Sequence, residues 1–309
     1  MYLEYRSFFM FSVILTGMAS VKDSWDTVED WWDQYVTFQS RELIELGRTL
    51  DEMDRSWEVS DSRFDSDPLE TDWSPSVKQA GPLRRGQEEN WSRWLAQLIR
   101  DSSGGFTEVL FGDGFGSIPD FVHCERAFHD DILHDRRIDL LGEFGDRGIT
   151  IEVKIEDEHY GKTLQAAYLT EKQYDRNLQW SHFLLLPRHK FDAVVDTFGS
   201  RFQMDDGCLS IEASGSEERP VTVLSWLDVS RALRISLLET RERDPHWSAS
   251  AYLYTTLIEQ QIARFYPAEF VREIQTDSAT VTALSRLHSI DPEQQLQHLN
   301  GVLEVVSHG

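Results

Sequence analysis

The segment Ile149-Thr-Ile-Glu-Val-Lys-Ile-Glu156 constrains this chain more than any other, because its residues alternate strictly in character. Ile149, Ile151, Val153 and Ile155 are apolar, while Thr150, Glu152, Lys154 and Glu156 are polar. A period of two belongs to a β-strand, in which successive side chains point to opposite faces. The pattern predicts a strand with Glu152 and Lys154 on one face and an apolar stripe, which must be covered, on the other. A preceding strand over 136–141 contains Arg137-Ile-Asp-Leu-Leu141, and the Gly-rich stretch Gly142-Glu-Phe-Gly-Asp-Arg-Gly148 joins the two. A turn centred near Gly145 and Asp146 places Asp139 directly across from Glu152, with the side chains roughly 5 Å apart.

Two carboxylates that face each other repel unless a cation lies between them, and hard oxygen donors suit Mg²⁺ or Mn²⁺. A lysine beside such an ion can position or deprotonate a water and balance charge on a phosphorane-like transition state. That combination is the chemistry of phosphodiester hydrolysis. An ordinary amphipathic hairpin also yields a surface Glu-x-Lys; the aspartate in register and the order of the surrounding elements favour the catalytic reading.

Around this hairpin the periodicity predicts a helix over 86–100, with Trp91, Trp94, Leu95, Leu98 and Ile99 on one face and Gly104 and Gly105 ending it. A strand is expected over 106–111, irregular chain over 112–134, a helix over 162–177 and a buried strand over 182–186. Further on, a helix near 188–200, short strands near 208–213 and 221–224, and helices near 226–240, 248–265 and 278–288 are expected. Residues 24–55 read as one or two amphipathic helices, and 56–83, with Pro68, Pro75 and Pro82, as a linker or long surface loop. The fold class expected is therefore α/β, a central mixed sheet flanked by helices. Its parts are a leader over 1–21, a helical region over 22–56, an acidic linker over 57–83, a core over 84–190 and an α/β to helical extension over 191–309.

Asp139 with Glu152-Val-Lys154 resembles the signature of the PD-(D/E)XK nuclease superfamily. The likeness spans residues 86–187, where helix, three strands, helix and strand is similar to that superfamily's restriction-endonuclease-like core. The resemblance implies a Mg²⁺- or Mn²⁺-dependent deoxyribonuclease, endonuclease rather than exonuclease, acting in defence or repair. Asp139 and Glu152 would ligate the ion and Lys154 would assist the attacking water. Many members place a glutamate on the first core helix near the metal, a position that Glu89 or Glu88 matches, Glu89 being preferred. Gln165 carries over from a Gln-Tyr pair on the helix after the lysine strand, although Tyr168 stands one residue too early. No proline precedes Asp139; Pro119-Asp120 makes Asp120 the alternative first ligand.

Composition bears on the partner. The chain has 309 residues, 54 acidic against 30 basic, and a formal net charge of -24, which argues against a polyanion unless salt screens it. Only 6 of the 30 basic residues are Lys. An acidic, lysine-poor surface suits a halophile's cytoplasm, and two cysteines without paired spacing suit a reducing one. The core is the least acidic part, so DNA contacts are expected from Arg84, Arg85, Arg136, Arg137, Lys162 and Lys172, with Arg93, Arg176 and Arg188 beside them. Concerted double-strand cutting would favour a homodimer. A rival reading keeps the fold as a catalytically inactive nucleic-acid-binding or assembly protein. His123, Cys124, His129, Asp130, Asp131 and His134 fit no metal-ligand spacing, Gly112-Asp-Gly-Phe-Gly116 lacks the Lys-Ser or Lys-Thr of a phosphate loop, and there is no Gly-x-Ser-x-Gly. The apolar run over 8–15 is shorter than the ~20 residues needed to span a bilayer; a start at Met18, a packed segment and a signal are its readings.

Overall fold

The computed structural model describes residues 41–72, 87–130, 136–205, 208–276 and 292–308. Its first helix, α1 over 41–59, buries Leu46, Leu50, Met53 and Trp57, whose spacing of three and four gathers them on one face. Helices α2 (Glu88–Arg100) and α3 (Gly105–Phe111) lead into strands β1 (Phe121–Phe128), β2 (Arg136–Phe144) and β3 (Arg147–Val153). Next come α4 (Thr163–Gln173), β4 (Gln179–Leu186), α5 (Phe191–Phe198), β5 (Phe202–Asp205), β6 (Cys208–Ile211) and β7 (Val221–Ser225). The chain ends with α6 (Trp226–Leu238), α7 (Pro245–Leu257) running into a π turn over Ile258–Ile262, α8 (Ala268–Thr276) and α9 (Pro292–His308).

The strands form one seven-stranded mixed sheet in the order β1-β2-β3-β4-β7-β6-β5. β1, β2 and β3 are an antiparallel meander, β4 runs parallel to both β3 and β7, and β6 and β5 return antiparallel at the far edge. Alternation along β4 shows how both faces are covered. Phe183 and Leu185 join Leu140, Ile149, Ile151 and Val153 in a core shared with α1, α2, α6, α7 and α9. Leu184 and Leu186 turn the other way, onto Tyr160, Leu164 and Ala167 of the α4 region and Val194 and Phe198 of α5. The architecture is thus α/β, a mixed sheet between helical layers. Among the described residues no helix is long and apolar enough to cross a membrane.

Three stretches differ from the sequence expectation. Residues 106–111 form α3 and not a strand, because the buried Glu242 carboxylate accepts the N–H groups of Ser103 and Phe106 at 2.7 and 2.9 Å and so starts a helical turn. The supposedly irregular 112–134 contains β1, which pairs with β2 from Phe121↔Glu143 to Phe128↔Arg136. Its polar residues obscure the period because β1 is an edge strand, where charged side chains are common. Residues 60–72 are no free linker: Asp67 and Leu69 are buried, and Asp67 accepts a 2.9 Å bond from the Trp57 indole. β5, α8 and α9 have no counterpart in the sequence expectation. The expected helix near 278–288, the leader, the segment 22–40, residues 73–83 with Arg84 and Arg85, and Asp131 and His134 lie outside the described residues.

The turn ahead of α3 gives a sharp packing test. Gly104 has a φ of 113°, and a Cβ there would stand 2.2 Å from the Gly116 carbonyl oxygen, which is backbone and cannot step aside. Gly104→Ala is expected to destabilise the protein by about 1–3 kcal/mol. In urea this lowers the unfolding midpoint at constant slope. An unchanged midpoint would contradict the close approach of these two loops.

Candidate active site

The β2·β3 register is the one the hairpin predicts. Leu140 pairs with Ile151 and Phe144 with Arg147 around Gly145, whose φ of 62° makes the tight turn. The same register, continued by one step, brings Asp139 to Glu152. Asp139 Oδ2 accepts the Val153 N–H at 2.8 Å, so the aspartate is fixed against the end of β3.

Lys154 follows directly after β3 and its backbone is held at both ends. Its N–H donates to the Leu185 carbonyl at 2.8 Å, and its own carbonyl accepts the Trp226 indole N–H at 3.3 Å. The ammonium lies 3.0 Å from Glu152 Oε1 and 3.2 Å from Asp157 Oδ2. Glu88, the first residue of α2, closes the arrangement: its Oε1 accepts the N–H groups of Ile155, Glu156 and Asp157 at 2.6, 2.8 and 3.2 Å.

Burial controls the electrostatics here. It pushes the Asp139 carboxyl above its ordinary value, against the Val153 N–H and the Lys154 charge. Glu152 is pushed up to about 7, first by burial and then by the neighbouring Asp139 carboxylate. Burial pulls Lys154 down, but Glu152, Asp139 and Asp157 more than offset it and hold the ammonium above its usual range. Glu152 Oε2 is buried and has no hydrogen-bond partner among the described residues. A buried carboxylate oxygen without a donor is costly, and it is the kind of atom that takes a proton or a cation.

Three of the expected positions shift. Glu89 is not at the centre; it is half-exposed and paired with Arg93, four residues on. Helical phase explains this: Glu88 lies three residues before Trp91 and seven before Leu95, on the buried stripe, while Glu89 shares the exposed stripe with Arg93. Asp120 is a structural residue that accepts the Gly145 N–H at 2.8 Å at the turn end of the hairpin, four positions along β2 from the Asp139 end. Gln165 sits on α4 and accepts a 3.1 Å bond from Arg136. Two contributors carried no signal: Asp157, in irregular chain, and Trp226, which read only as a packing residue.

Of the basic residues expected to meet phosphate, Arg93 and Arg137 reach Glu125 at 3.5 and 3.7 Å, and the Arg137 charge also acts on Asp139. Lys172 is paired with Asp130 at 2.9 Å, Arg176 is bonded to Glu143, and Lys162 and Arg188 are exposed. Gly112–Gly116 is a turn, as expected, with Arg147 bonded to the Asp113 carbonyl and stacked 5.5 Å from the Phe115 ring.

Among the described residues no three His, Cys, Asp or Glu side chains gather into a ready cation cage. Mg²⁺ does not require one, since it is commonly held by one or two carboxylates, waters and substrate phosphate. Asp139 and Glu152, with the unpartnered Oε2, fit that donor set. No family model, curated protein or solved structure matches this chain. The functional argument therefore rests on the arrangement of these side chains.

Proposed function

We propose that the chain is a divalent-metal-dependent nuclease of the PD-(D/E)XK kind, hydrolysing DNA phosphodiester bonds. The observation that carries this reading is the convergence of Asp139, Glu152 and Lys154 at the end of β3, with a buried oxygen of Glu152 that has no donor among the described residues. The element order supports it: α2, the β1–β3 meander, α4 and the parallel β4 follow one another as in the core to which the sequence is similar.

Asp139 and Glu152 would hold the ion, which supplies Lewis-acid activation of water and neutralises charge on the phosphoryl group. This chain's own groups do the rest. The Val153 N–H fixes Asp139, the Leu185 carbonyl and Trp226 indole fix Lys154, and the buried setting strengthens the attraction between opposite charges. Lys154 stays an ammonium and offers a positive charge to a phosphate brought against the site. The acidic, lysine-poor composition supports a salt-rich cytoplasm as the setting of this chemistry.

Calorimetric titration with Mn²⁺ tests the metal reading without requiring turnover. One site per chain is expected, weakened at least about tenfold in Asp139→Asn. Equal affinity in that variant, or no binding in the wild type, would move the assignment to a metal-free nucleic-acid-binding or assembly role.

A further inference from the structure

We infer that Glu88 is a positioning residue that fixes the segment after β3, and with it Lys154, by binding backbone amides and not by ligating an ion. The kinetic part of this inference rests on the nuclease reading; the structural part rests on the hydrogen bonds alone. A regular strand points successive N–H groups in opposite directions, yet those of Ile155, Glu156 and Asp157 all meet Glu88 Oε1, at 2.6, 2.8 and 3.2 Å. Such a convergence is an anion-binding nest, and here a carboxylate from α2 fills it.

The same segment is gripped from the other side. Lys190, itself buried, donates from Nζ to the Glu156 carbonyl at 2.6 Å and reaches the Asp157 carbonyl at 3.4 Å. Amides are held by Glu88 and carbonyls by Lys190, so the peptide units of 155–157 cannot rotate freely. Asp157 depends on that grip, and its carboxylate is one of the two that flank the Lys154 ammonium, 3.2 Å away. If the segment slips, the ammonium moves with it relative to Glu152. The charge of Glu88 is engaged by three donors through one oxygen, which is what an anchor requires.

Glutamine separates anchoring from metal ligation, because its side-chain carbonyl still accepts N–H groups but carries no charge. Hydrogen exchange in the full-length, metal-free protein reads the anchor directly. The amides of 155–157 should be protected in wild type and in Glu88→Gln and exposed in Glu88→Ala, with the β3 amides protected in all three as the check on folding. In DNA cleavage, Glu88→Ala should lower kcat by about 100-fold, as small misplacements of catalytic groups do. Glu88→Gln should recover at least about tenfold of that, neutral hydrogen bonds being about half as strong as charge-assisted ones. The Mg²⁺ midpoint should be unchanged in both. Exposed wild-type amides at 155–157, or a Mg²⁺ midpoint raised equally in the two variants, would overturn the anchoring role. If the wild type cuts nothing, the nuclease reading fails, while the exchange pattern still decides whether Glu88 is the anchor.

Discussion

Replacing Arg234 by Met should destabilise the protein by about 3–5 kcal/mol, the usual cost of leaving buried charges without their partner. Arg234 on α6 is wholly buried and bonds two acidic residues at once, Asp67 in the segment after α1 and Glu259 in the π turn after α7. His298 of α9 comes within 3.1 Å of Glu259, and the Trp57 indole holds Asp67 at 2.9 Å. The guanidinium and its two carboxylates, with Trp57 and His298 bonded to them, thus link α1, α6, the π turn after α7 and α9. Methionine keeps most of the volume, so the loss reports charge and hydrogen bonding. A thermal or urea midpoint within experimental error of wild type would show that the network is dispensable.

This network also sets an acid limit. Burial alone would raise the Glu259 carboxyl, but Arg234 and His298 hold it down to about 2. A group whose folded pKa is depressed stabilises the fold fully above its unfolded value of about 4.3 and loses that contribution as pH falls toward the folded value. Stability should therefore decline between about pH 4.5 and 2, and less steeply in Arg234→Met, which has already lost the pair.

The second large effect concerns function without loss of fold. Glu152→Gln should reduce metal-dependent DNA cleavage by about 1000-fold, because it removes a ligand of the ion and with it electrostatic stabilisation of the transition state, placed at the upper end for losing one such group. Its melting temperature should equal or exceed that of wild type, because Asp139 and Glu152 are buried like charges and the exchange removes their repulsion. Lys154→Met should lose activity similarly but be less stable, since it leaves Glu152 and Asp157 without the ammonium between them. Full activity in folded Glu152→Gln would remove the carboxylate pair from the mechanism.

Much of the centre was legible because local rules determine it. Period two fixed the faces of β3, and the Gly145 turn fixed the register that sets Asp139 beside Glu152. The choice between Glu88 and Glu89 was also written in the sequence, in the three-residue step to Trp91 and the four-residue step to Arg93. What could not be read depends on distant partners. α3 is helical because Glu242, more than 130 residues away, caps it. β1 is a strand because β2 supplies its hydrogen bonds, and 60–72 is fixed because Asp67 meets Arg234. Asp157 reaches Lys154 from a segment whose backbone is bonded by Glu88 and Lys190, partners far away in the sequence.

The most direct test of the central claim is cleavage of plasmid and linear DNA in high KCl with Mg²⁺, Mn²⁺ or EDTA, comparing wild type with Glu152→Gln. The account predicts cutting by the wild type with either metal, none in EDTA, and about 1000-fold less in the variant. Failure of the folded wild type to cut DNA with any metal, or undiminished cutting by the variant, would contradict it.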